Sequence, residues 1–293
     1  MIRPLDFIFK LIFGDPLHAD ITRSFLADVL NLPQEELKSL TFTNTELNRE
    51  YKYGKKGALD VRITAASGAD IMIEIQIVPD RAMADRSLYY WARVFTSHLE
   101  KKQGFDELTK TIAVNILHFD LFEYPRHHST FRLREDNEGT VLTDLLQIDF
   151  LELSKIKKLS SVSKDKKTQW LQFLITRDEE ALNMLGQENP AIEKAVGILK
   201  TLSGDEKIRR EAFYREKEIR DELSRQVSAR KEGRAEGKVE GRVEGRVEGR
   251  VEEKEEIALK LLSMGSDVKF IQTATGLSEE RILALKGKAS NQN

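Results

Sequence analysis

Three polar side chains, Asp60, Glu74 and Gln76, lie on two neighbouring segments in which apolar and polar residues alternate. Residues 58–65 read A-L-D-V-R-I-T-A, and residues 71–78 read I-M-I-E-I-Q-I-V. A period of two predicts β-strands, because successive side chains of a strand point to opposite faces of the sheet. Two carboxylates brought together on one face would supply the hard oxygen ligands that Mg²⁺ and Mn²⁺ prefer.

The loop between these strands decides whether the polar side chains share a face. A two-residue Ser67-Gly68 loop would set Asp60 opposite Ile75 and mix polar with apolar residues on both faces. A three-residue loop over residues 66–68 puts Gly68 at the left-handed position of a bulged turn and collects the apolar residues on one face. The pairs across this hairpin are then Ala65 with Ala69, Ile63 with Ile71, Val61 with Ile73, and Asp60 with Glu74.

The three-residue register sets the carboxylates of Asp60 and Glu74 directly opposite each other, with Cβ atoms about 4.5–5.5 Å apart. Like charges at that distance repel, so the pair costs stability unless a cation lies between the two groups. The site residues include no His or Cys, which favours Mg²⁺ or Mn²⁺ as that cation. The alternative is a pair of acidic side chains on a solvated face, and the spacing favours neither interpretation over the other.

Further helices and strands are expected around the hairpin. Helical spacing of apolar residues predicts helices over residues 5–13, ending at Gly14; 21–30, ending before Pro33; 82–102, ending at Gly104; and 166 to about 229. Strands are expected at residues 41–43, 111–119 and 145–153. The order helix, hairpin, helix, strand predicts an α/β or α+β core with the hairpin at its centre.

Composition excludes several classes of protein. The 293 residues include no cysteine, which excludes disulfides and cysteine-based zinc sites. The N-terminal residues do not combine a basic region with an apolar run, and no stretch approaches the ~20 apolar residues of a membrane span. We therefore expect a cytoplasmic protein with no membrane partner. The net charge of −2 gives no global basic footprint, so DNA binding would require a local basic patch.

Residues 232–251 repeat a four-residue unit, E-G-R-V or a close variant. Four residues advance roughly 400° around a helix, so equivalent positions form slowly drifting columns, and no Glu–Arg pair falls at i+3 or i+4. The five glycines from 233 to 249 each cost about 1 kcal/mol relative to alanine in a helix. Two interpretations follow: a flexible linker, which we favour for the monomer, or a helix stabilised by packing against another helix.

These segments predict four regions along the chain: a core over residues 1–160, a helical extension over 161–230, the charged repeat as linker or helix over 231–256, and a small helical module over 257–293. The last region has turns near residues 264–267 and 275–278 and is similar in pattern to small helix-turn-helix modules. Its basic residues are few, so we interpret it as an interaction module. The packed-helix interpretation of the repeat, in which the glycine column lets another helix approach closely, keeps a homo-oligomer through the C-terminal helical region as an option.

The hairpin is similar to that of the PD-(D/E)XK nuclease fold, in which an aspartate on one strand and E-x-K or E-x-Q on the next hold a metal ion. More specifically, residues 3–155 resemble the Rpn family of recombination-promoting nucleases and transposases. The motifs that carry the resemblance are D-x-x-F-K-x-x-F-G at residues 6–14, L-D-V-R at 59–62, I-E-I-Q at 73–76, R-S-L-Y-Y at 86–90, the strand region 112–122, and L-E-L at 151–153.

This resemblance implies a restriction-endonuclease-like mixed sheet flanked by helices, with a helical C-terminal extension. It further implies that Asp60, Glu74 and Gln76 are catalytic and that Asp60 and Glu74 hold Mg²⁺, with Mn²⁺ as the alternative. Asp6 matches the acidic residue of the family's first helix, where it is either a third metal ligand or a cap of that helix. Gln76 stands where many members have lysine, and a glutamine carries no positive charge. The metal must then offset the transition-state charge.

DNA is the partner that the resemblance implies, and basic residues near the hairpin are expected to contact its phosphates. The residues concerned are Lys52, Lys55, Lys56, Arg62 and Arg86. Phosphate contacts position the nucleic acid without reading its sequence. The alternative for each lysine is a solvated basic turn.

Two functions are therefore expected. The first is a Mg²⁺-dependent DNA endonuclease that acts in recombination, mobile-element movement or phage defence. The second is an interaction or assembly protein with a catalytically degenerate nuclease fold. The intact Asp60, Glu74 and Gln76 favour the first, whereas the acidic core and the absent lysine favour the second.

Overall fold

The computed structural model describes residues 5–43, 60–98, 104–156 and 161–290. Tertiary contacts divide the chain into two compact units, Met1–Leu223 and Ser224–Asn293. None of the described helices is long and apolar enough to cross a membrane.

The first unit is built on a six-stranded mixed sheet, which confirms the expected α/β fold. Its strands are β1 (Leu40–Phe42), β2 (Val61–Ala65), β3 (Asp70–Gln76), β4 (Thr111–Leu117), β5 (His128–Phe131) and β6 (Leu146–Glu152). Their order is β1-β2-β3-β4-β6-β5. The first three strands form an antiparallel meander, β3, β4 and β6 run parallel, and β5 closes the far edge antiparallel to β6.

Helices cover both faces of this sheet. They are α1 (Leu5–Phe13), α2 (Ala19–Leu30), α3 (Met83–Thr96), α4 (Leu153–Ile156), α5 (Lys166–Ile175), α6 (Glu179–Glu188), α7 (Pro190–Gly204) and the start of α8 (Glu206–Ser263). The larger core packs α1, α2 and α5–α7 against the isoleucines of β3 and β4. The smaller core places α3 on the opposite face, where Met83 and Trp91 contact Met72 and Ala113.

The hairpin has the three-residue loop that the alternation predicts. Val61 pairs with Ile73 and Ile63 with Ile71. The Ala65 amide donates to the Ala69 carbonyl at 2.9 Å, and Gly68 has φ +83°. These observations confirm the register, because a two-residue loop would have moved every apolar side chain to the other face.

Helix α3 is shorter than its apolar stripe predicts. It ends at Thr96 instead of residue 102, and Gly104 does not close it but precedes a short 3-10 turn, Phe105–Glu107. The Ser97 hydroxyl donates to the Val94 carbonyl at 2.6 Å, and the His98 ring lies 3.1 Å from Asp70. Residues 99–102 of the expected helix lie outside the described residues.

The helical region after residue 166 is divided by side-chain caps. Asp165, Asp178 and Asn189 each accept a hydrogen bond from the first turn of the helix that follows them. The charged repeat lies within α8, so the structure has the helix and not the linker that we favoured for this segment.

The second unit has a small core of its own. The last turns of α8, together with α9 (Val268–Thr275) and α10 (Glu279–Ser290), bury Ala258, Ile271, Ile282 and Leu285. Gly265 and Gly276, with φ of +78° and +67°, make the two turns that were expected between these helices.

Candidate active site

Asp60 lies immediately before β2 and is the first described residue on this side of the hairpin. Its amide donates to the Ile73 carbonyl at 3.2 Å, and its carboxylate accepts a hydrogen bond from the Ile75 amide at 2.7 Å. The carboxylate therefore lies along β3 and satisfies a backbone donor of that strand. It does not stand squarely on the face that holds Glu74 and Gln76.

Glu74 is buried in the middle of β3, on the face that α3 covers. Its Oε1 accepts a hydrogen bond from Arg86, which α3 projects onto the sheet, and the same guanidinium lies 3.7 Å from Asp80. The other oxygen, Oε2, is buried and has no hydrogen-bond partner among the described residues. One oxygen of this carboxylate is thus hydrogen-bonded and the other is not.

The other buried carboxylates of the described residues differ from Glu74 in this respect. Asp149 binds His128, Thr130 and Gln147 with its two oxygens, at 2.6–2.8 Å. Glu152 is bound by two backbone amides and by Lys155. Asp70 is bound by Arg62, Thr64 and His98. Because buried polar groups are normally hydrogen-bonded, the bare oxygen of Glu74 indicates a place for an additional ligand.

Burial, with a smaller contribution from the neighbouring Asp6 carboxylate, raises the pKa of Asp60 to about 6, against the Ile75 hydrogen bond, Lys10 and Arg215. Burial also raises the pKa of Glu74, against the opposing effect of Arg86, and the charge of Asp60 adds to that rise. The Asp60 carboxylate thus interacts electrostatically with two others, those of Asp6 and Glu74. A cation placed beside Asp60 and Glu74 would relieve both the desolvation and the repulsion.

Asp6 is held by contacts with α8 and with its own helix. Its Oδ2 accepts hydrogen bonds from Arg215 of α8, at 2.7 Å from Nε and 2.5 Å from Nη2, and its Oδ1 accepts from the Phe7 amide at 2.9 Å. Asp6 lies within α1, which begins at Leu5, and its contact with the adjacent Phe7 amide is not a helix cap. It also has an arginine partner that no local pattern indicated.

Lys10 is a site residue for which the sequence alone suggested no role. It is exposed one turn after Asp6, and together they are the two charged residues of the otherwise apolar α1. A cavity of about 240 Å³ brings Lys10 together with Asp60, Gly14, Phe42, Thr43, Val61 and Arg62. A lone acidic and basic pair at i and i+4 on an apolar helix was the available signal.

The remaining expected site residues have defined surroundings or lie outside the described residues. Gln76 donates from Nε2 to the Val78 carbonyl at 2.9 Å, and its Oε1 lies 3.5 Å from Nη1 of Arg86. Arg62 is paired with Asp70 at 2.6 Å, toward the turn of the hairpin. Lys52, Lys55 and Lys56 lie outside the described residues.

The donor set fits a hard divalent cation held by two protein groups. No group of three or more His, Cys, Asp or Glu side chains in the described ranges is arranged to hold a metal ion. Mg²⁺ does not require one, because it is usually bound through one or two carboxylates while water and substrate phosphate supply the other ligands. The unpaired Oε2 of Glu74 and the desolvated Asp60 are two such carboxylates.

Two family matches agree with this arrangement. Residues 3–229 match the family described as PD-(D/E)XK nuclease family transposase. Residues 251–287 match the C-terminal HTH domain of the Rpn/YhgA-like nuclease family, and helix-turn-helix domains are a common DNA-binding module. No curated protein and no solved structure matches the chain significantly. Since the first match spans most of the chain, this protein belongs to the PD-(D/E)XK nuclease family transposases.

Proposed function

We propose that this chain is a Mg²⁺-dependent endonuclease that hydrolyses DNA phosphodiester bonds, with Mn²⁺ as a substitute metal. The observation that carries the proposal is the bare, buried Oε2 of Glu74, a carboxylate that interacts electrostatically with the desolvated Asp60. A folded protein retains such an uncompensated acidic pair at a cost in stability, and strongly perturbed carboxylates mark functional sites. The family membership makes phosphodiester cleavage the function that best fits this pair.

Asp60 and Glu74 would hold the metal ion, and Asp6 would act on it through the charge of Asp60. A bound Mg²⁺ would lower the pKa of its water and offset charge on the phosphate. Asp60 is fixed for this role by its hydrogen bond to Ile75, which holds the carboxylate at the edge of β3. Arg215 pairs with Asp6 and holds that carboxylate in place.

Two basic side chains supply the positive charge that Gln76 lacks. Arg86 lies against both Glu74 and Gln76, and Lys10 is exposed in the cavity that contains Asp60. In this proposal both bind a phosphate that approaches the carboxylates, Arg86 from the α3 side and Lys10 from the α1 side. In this proposal Gln76 positions Arg86 through its amide oxygen and takes no part in proton transfer.

DNA is the proposed substrate, and the basic residues near the hairpin contribute unequally to its binding. Arg62 is committed to Asp70, so it supports the hairpin and adds positive charge at the edge of the same cavity. Lys52, Lys55 and Lys56 stay as proposed phosphate contacts. The C-terminal HTH domain would add a second DNA contact, and recombination, mobile-element movement and phage defence are the contexts proposed for the cleavage.

A plasmid-nicking assay with the purified full chain tests this function. Supercoiled DNA is incubated with Mg²⁺, with Mn²⁺ or with EDTA, and binding of Mn²⁺ alone is followed by electron paramagnetic resonance. Asp60→Asn and Glu74→Gln should abolish both cleavage and Mn²⁺ binding while preserving the fold. Asp85→Asn, which changes an exposed acid on α3 without touching the site, is the matched control and should cleave normally.

The second function, an interaction protein with a degenerate nuclease fold, is favoured by a specific observation. Arg86 and Arg215 already pair with Glu74 and Asp6, so part of the acidic site is neutralised within the chain. A chain that binds DNA but neither cleaves it nor takes up Mn²⁺ would support this function. Cleavage that persists in Asp60→Asn and Glu74→Gln would contradict the site proposed above.

A further inference from the structure

The middle of helix α8 is exposed on every side. Every residue from Gln226 to Glu253 is exposed, and this stretch includes the complete four-residue repeat. Its glycines and its like-charged i,i+4 neighbours do not stabilise a lone helix. Helices in proteins gain most of their stability from packing an apolar face, so this segment has the properties of a helix that packs against a partner.

The repeat forms four distinct columns around the helix axis. At about 100° per residue, each valine is followed by glutamate about 100° away on one side and preceded by arginine about 100° away on the other. The glycine column lies opposite the valines. Val239, Val243, Val247 and Val251 are 63%, 57%, 59% and 42% exposed, so the apolar column is uncovered.

The charged columns are long and of equal size. The basic column consists of Arg230, Arg234, Lys238, Arg242, Arg246, Arg250 and Lys254. The acidic column consists of Glu232, Glu236, Glu240, Glu244, Glu248, Glu252 and Glu256. A valine face with acid along one flank and base along the other is complementary to a second copy of itself.

That complementarity depends on the direction of the second helix. If two copies run parallel with their valines facing, the two-fold axis lies along the helices and sets Glu against Arg on both flanks. If they run antiparallel, the axis is perpendicular to the helices and sets Glu against Glu and Arg against Arg. Charges flanking an apolar seam determine partner choice and orientation in this way in coiled coils.

We propose that residues 235–254 of α8 are a self-association surface, on which two copies of this chain pair in parallel through the valine column. The acidic column would repel a nucleic acid. An acidic protein would be repelled by the acidic column, and a basic protein by the basic column. A second copy of the same repeat satisfies both columns together. The pairing lies wholly within the second unit and is independent of the proposed nuclease site.

The period of four also determines the packing angle. Successive valines lie about 40° apart around the helix axis. Their period of four is longer than the 3.6 residues of a helical turn, and apolar patterns with such periods give a right-handed supercoil. Ridges formed by i±4 positions interdigitate at about −50°. The two helices should therefore cross, with close contact over about three repeats.

The oligomeric state of the full chain tests the pairing, measured by sedimentation velocity over a range of concentrations. One variant makes both flanks basic by Glu236→Lys, Glu240→Lys, Glu244→Lys and Glu248→Lys. A second makes both flanks acidic by Lys238→Glu, Arg242→Glu, Arg246→Glu and Arg250→Glu. Each alone should raise the dimer dissociation constant at least tenfold, and an equimolar mixture should restore the dimer. The control changes the net charge by the same amount outside the repeat and should pair normally. It carries Glu35→Lys, Glu180→Lys, Glu188→Lys and Glu211→Lys.

Orientation is tested with single cysteines, since the chain has none of its own. Spin labels on Val239→Cys and, in a separate protein, on Val251→Cys report the distance between equivalent positions of the pair. In a parallel pair both labels are close together. In any antiparallel pair the two axial separations sum to at least about 36 Å, because the positions are 12 residues apart. A monomeric wild type, a basic-flank variant that stays dimeric, or close labels at only one position would overturn the proposal.

Discussion

Burial affects Asp60 more strongly than any neighbouring charge. Its pKa of about 6, against an ordinary value of 3.8, has desolvation as its largest cause, with the Asp6 carboxylate adding to it. A carboxylate of this kind is partly protonated in mildly acidic solution and would bind a cation less tightly there. The residue is therefore sensitive to pH in the range where a metal-dependent nuclease would work.

Asp60→Asn should stabilise the metal-free protein at pH 7 and have little effect on stability at pH 3.5. Because the pKa of Asp60 is raised in the folded state, protonation of this residue favours folding. Its contribution to stability is complete below about pH 3.8 and is lost as the pH rises through about 6. Asparagine keeps the neutral form at every pH and can still accept the Ile75 hydrogen bond. The expected gain in the free energy of unfolding at pH 7 is up to about 3 kcal/mol, measured by urea denaturation in EDTA.

The exposed Asp85→Asn should show no such pH-dependent gain. A gain for Asp60→Asn that is the same at pH 3.5 and pH 7 would contradict the assignment to ionisation of Asp60. Added Mg²⁺ should stabilise the wild type more than this variant, since binding to the folded state adds to stability.

A second prediction concerns Gln76→Lys. Nη1 of Arg86 lies 3.5 Å from the Gln76 amide oxygen, so an ammonium group at position 76 would meet a guanidinium that is already bound to Glu74. We expect cleavage to fall at least tenfold, about 1.4 kcal/mol in the barrier. Combining Gln76→Lys with Arg86→Gln should recover most of that loss, because one cation then replaces another.

The double-mutant cycle is measured as kcat/KM for plasmid nicking. Additive effects of Gln76→Lys and Arg86→Gln would show that the two positions act independently. Full activity of Gln76→Lys alone would show that Gln76 does not position Arg86.

The sequence was informative about some of these residues and not about others. Alternation located Asp60 and Glu74 at one place on a hairpin, because strand geometry is local. The pairing of Asp6 with Arg215 joins residues 209 positions apart, and Arg86 reaches Glu74 from a separate helix. No spacing rule covers such contacts, which arise only when helices pack on the sheet.

At the scale of elements, the hairpin could be predicted because two requirements agree. Its isoleucines and valines must all face α1, and Gly68 is placed where a bulged three-residue turn requires a positive φ. Helix α3 could not be bounded in the same way, since its apolar stripe continues in the sequence past Thr96, the last residue of the helix. A pattern predicts which face is buried better than it predicts where an element ends.

Gly68→Ala should destabilise the first unit by about 1 kcal/mol. The residue has φ +83°, where a Cβ is strained, and the added Cβ would lie 3.4 Å from Cγ2 of Thr109. The measurement is the midpoint of urea unfolding followed by tryptophan fluorescence. Gly68→Asn is the matched control and should lose less, because asparagine tolerates the left-handed region. Equal losses in the two variants would point to the contact with Thr109 and not to backbone strain.

At the scale of the whole molecule, the two units divide the proposed roles. The first unit carries the carboxylates, and the second carries the repeat and the HTH domain. Sequence reasoning identified the repeat but left its structure open, because helix propensity argued for a linker while the regular period argued for packing. A partner helix would reconcile the two, since it supplies the stability that the glycines remove.

The glycine column provides the last prediction. Substituting Gly237, Gly241, Gly245 and Gly249 by alanine should raise the helix content of the repeat, by about 1 kcal/mol of helix stability for each glycine. Apart from the helix's own nearby backbone, no described atom lies within 4 Å of a Cβ added at any of these positions, so the change creates no clash with the described residues. If the valine face is the pairing surface, the glycines point away from the partner and the dimer should persist or tighten. Circular dichroism measures the helix content, and sedimentation velocity measures the pairing. A more helical chain that has become monomeric would assign the pairing to the glycine face, because there the four methyl groups would hold the two backbones apart.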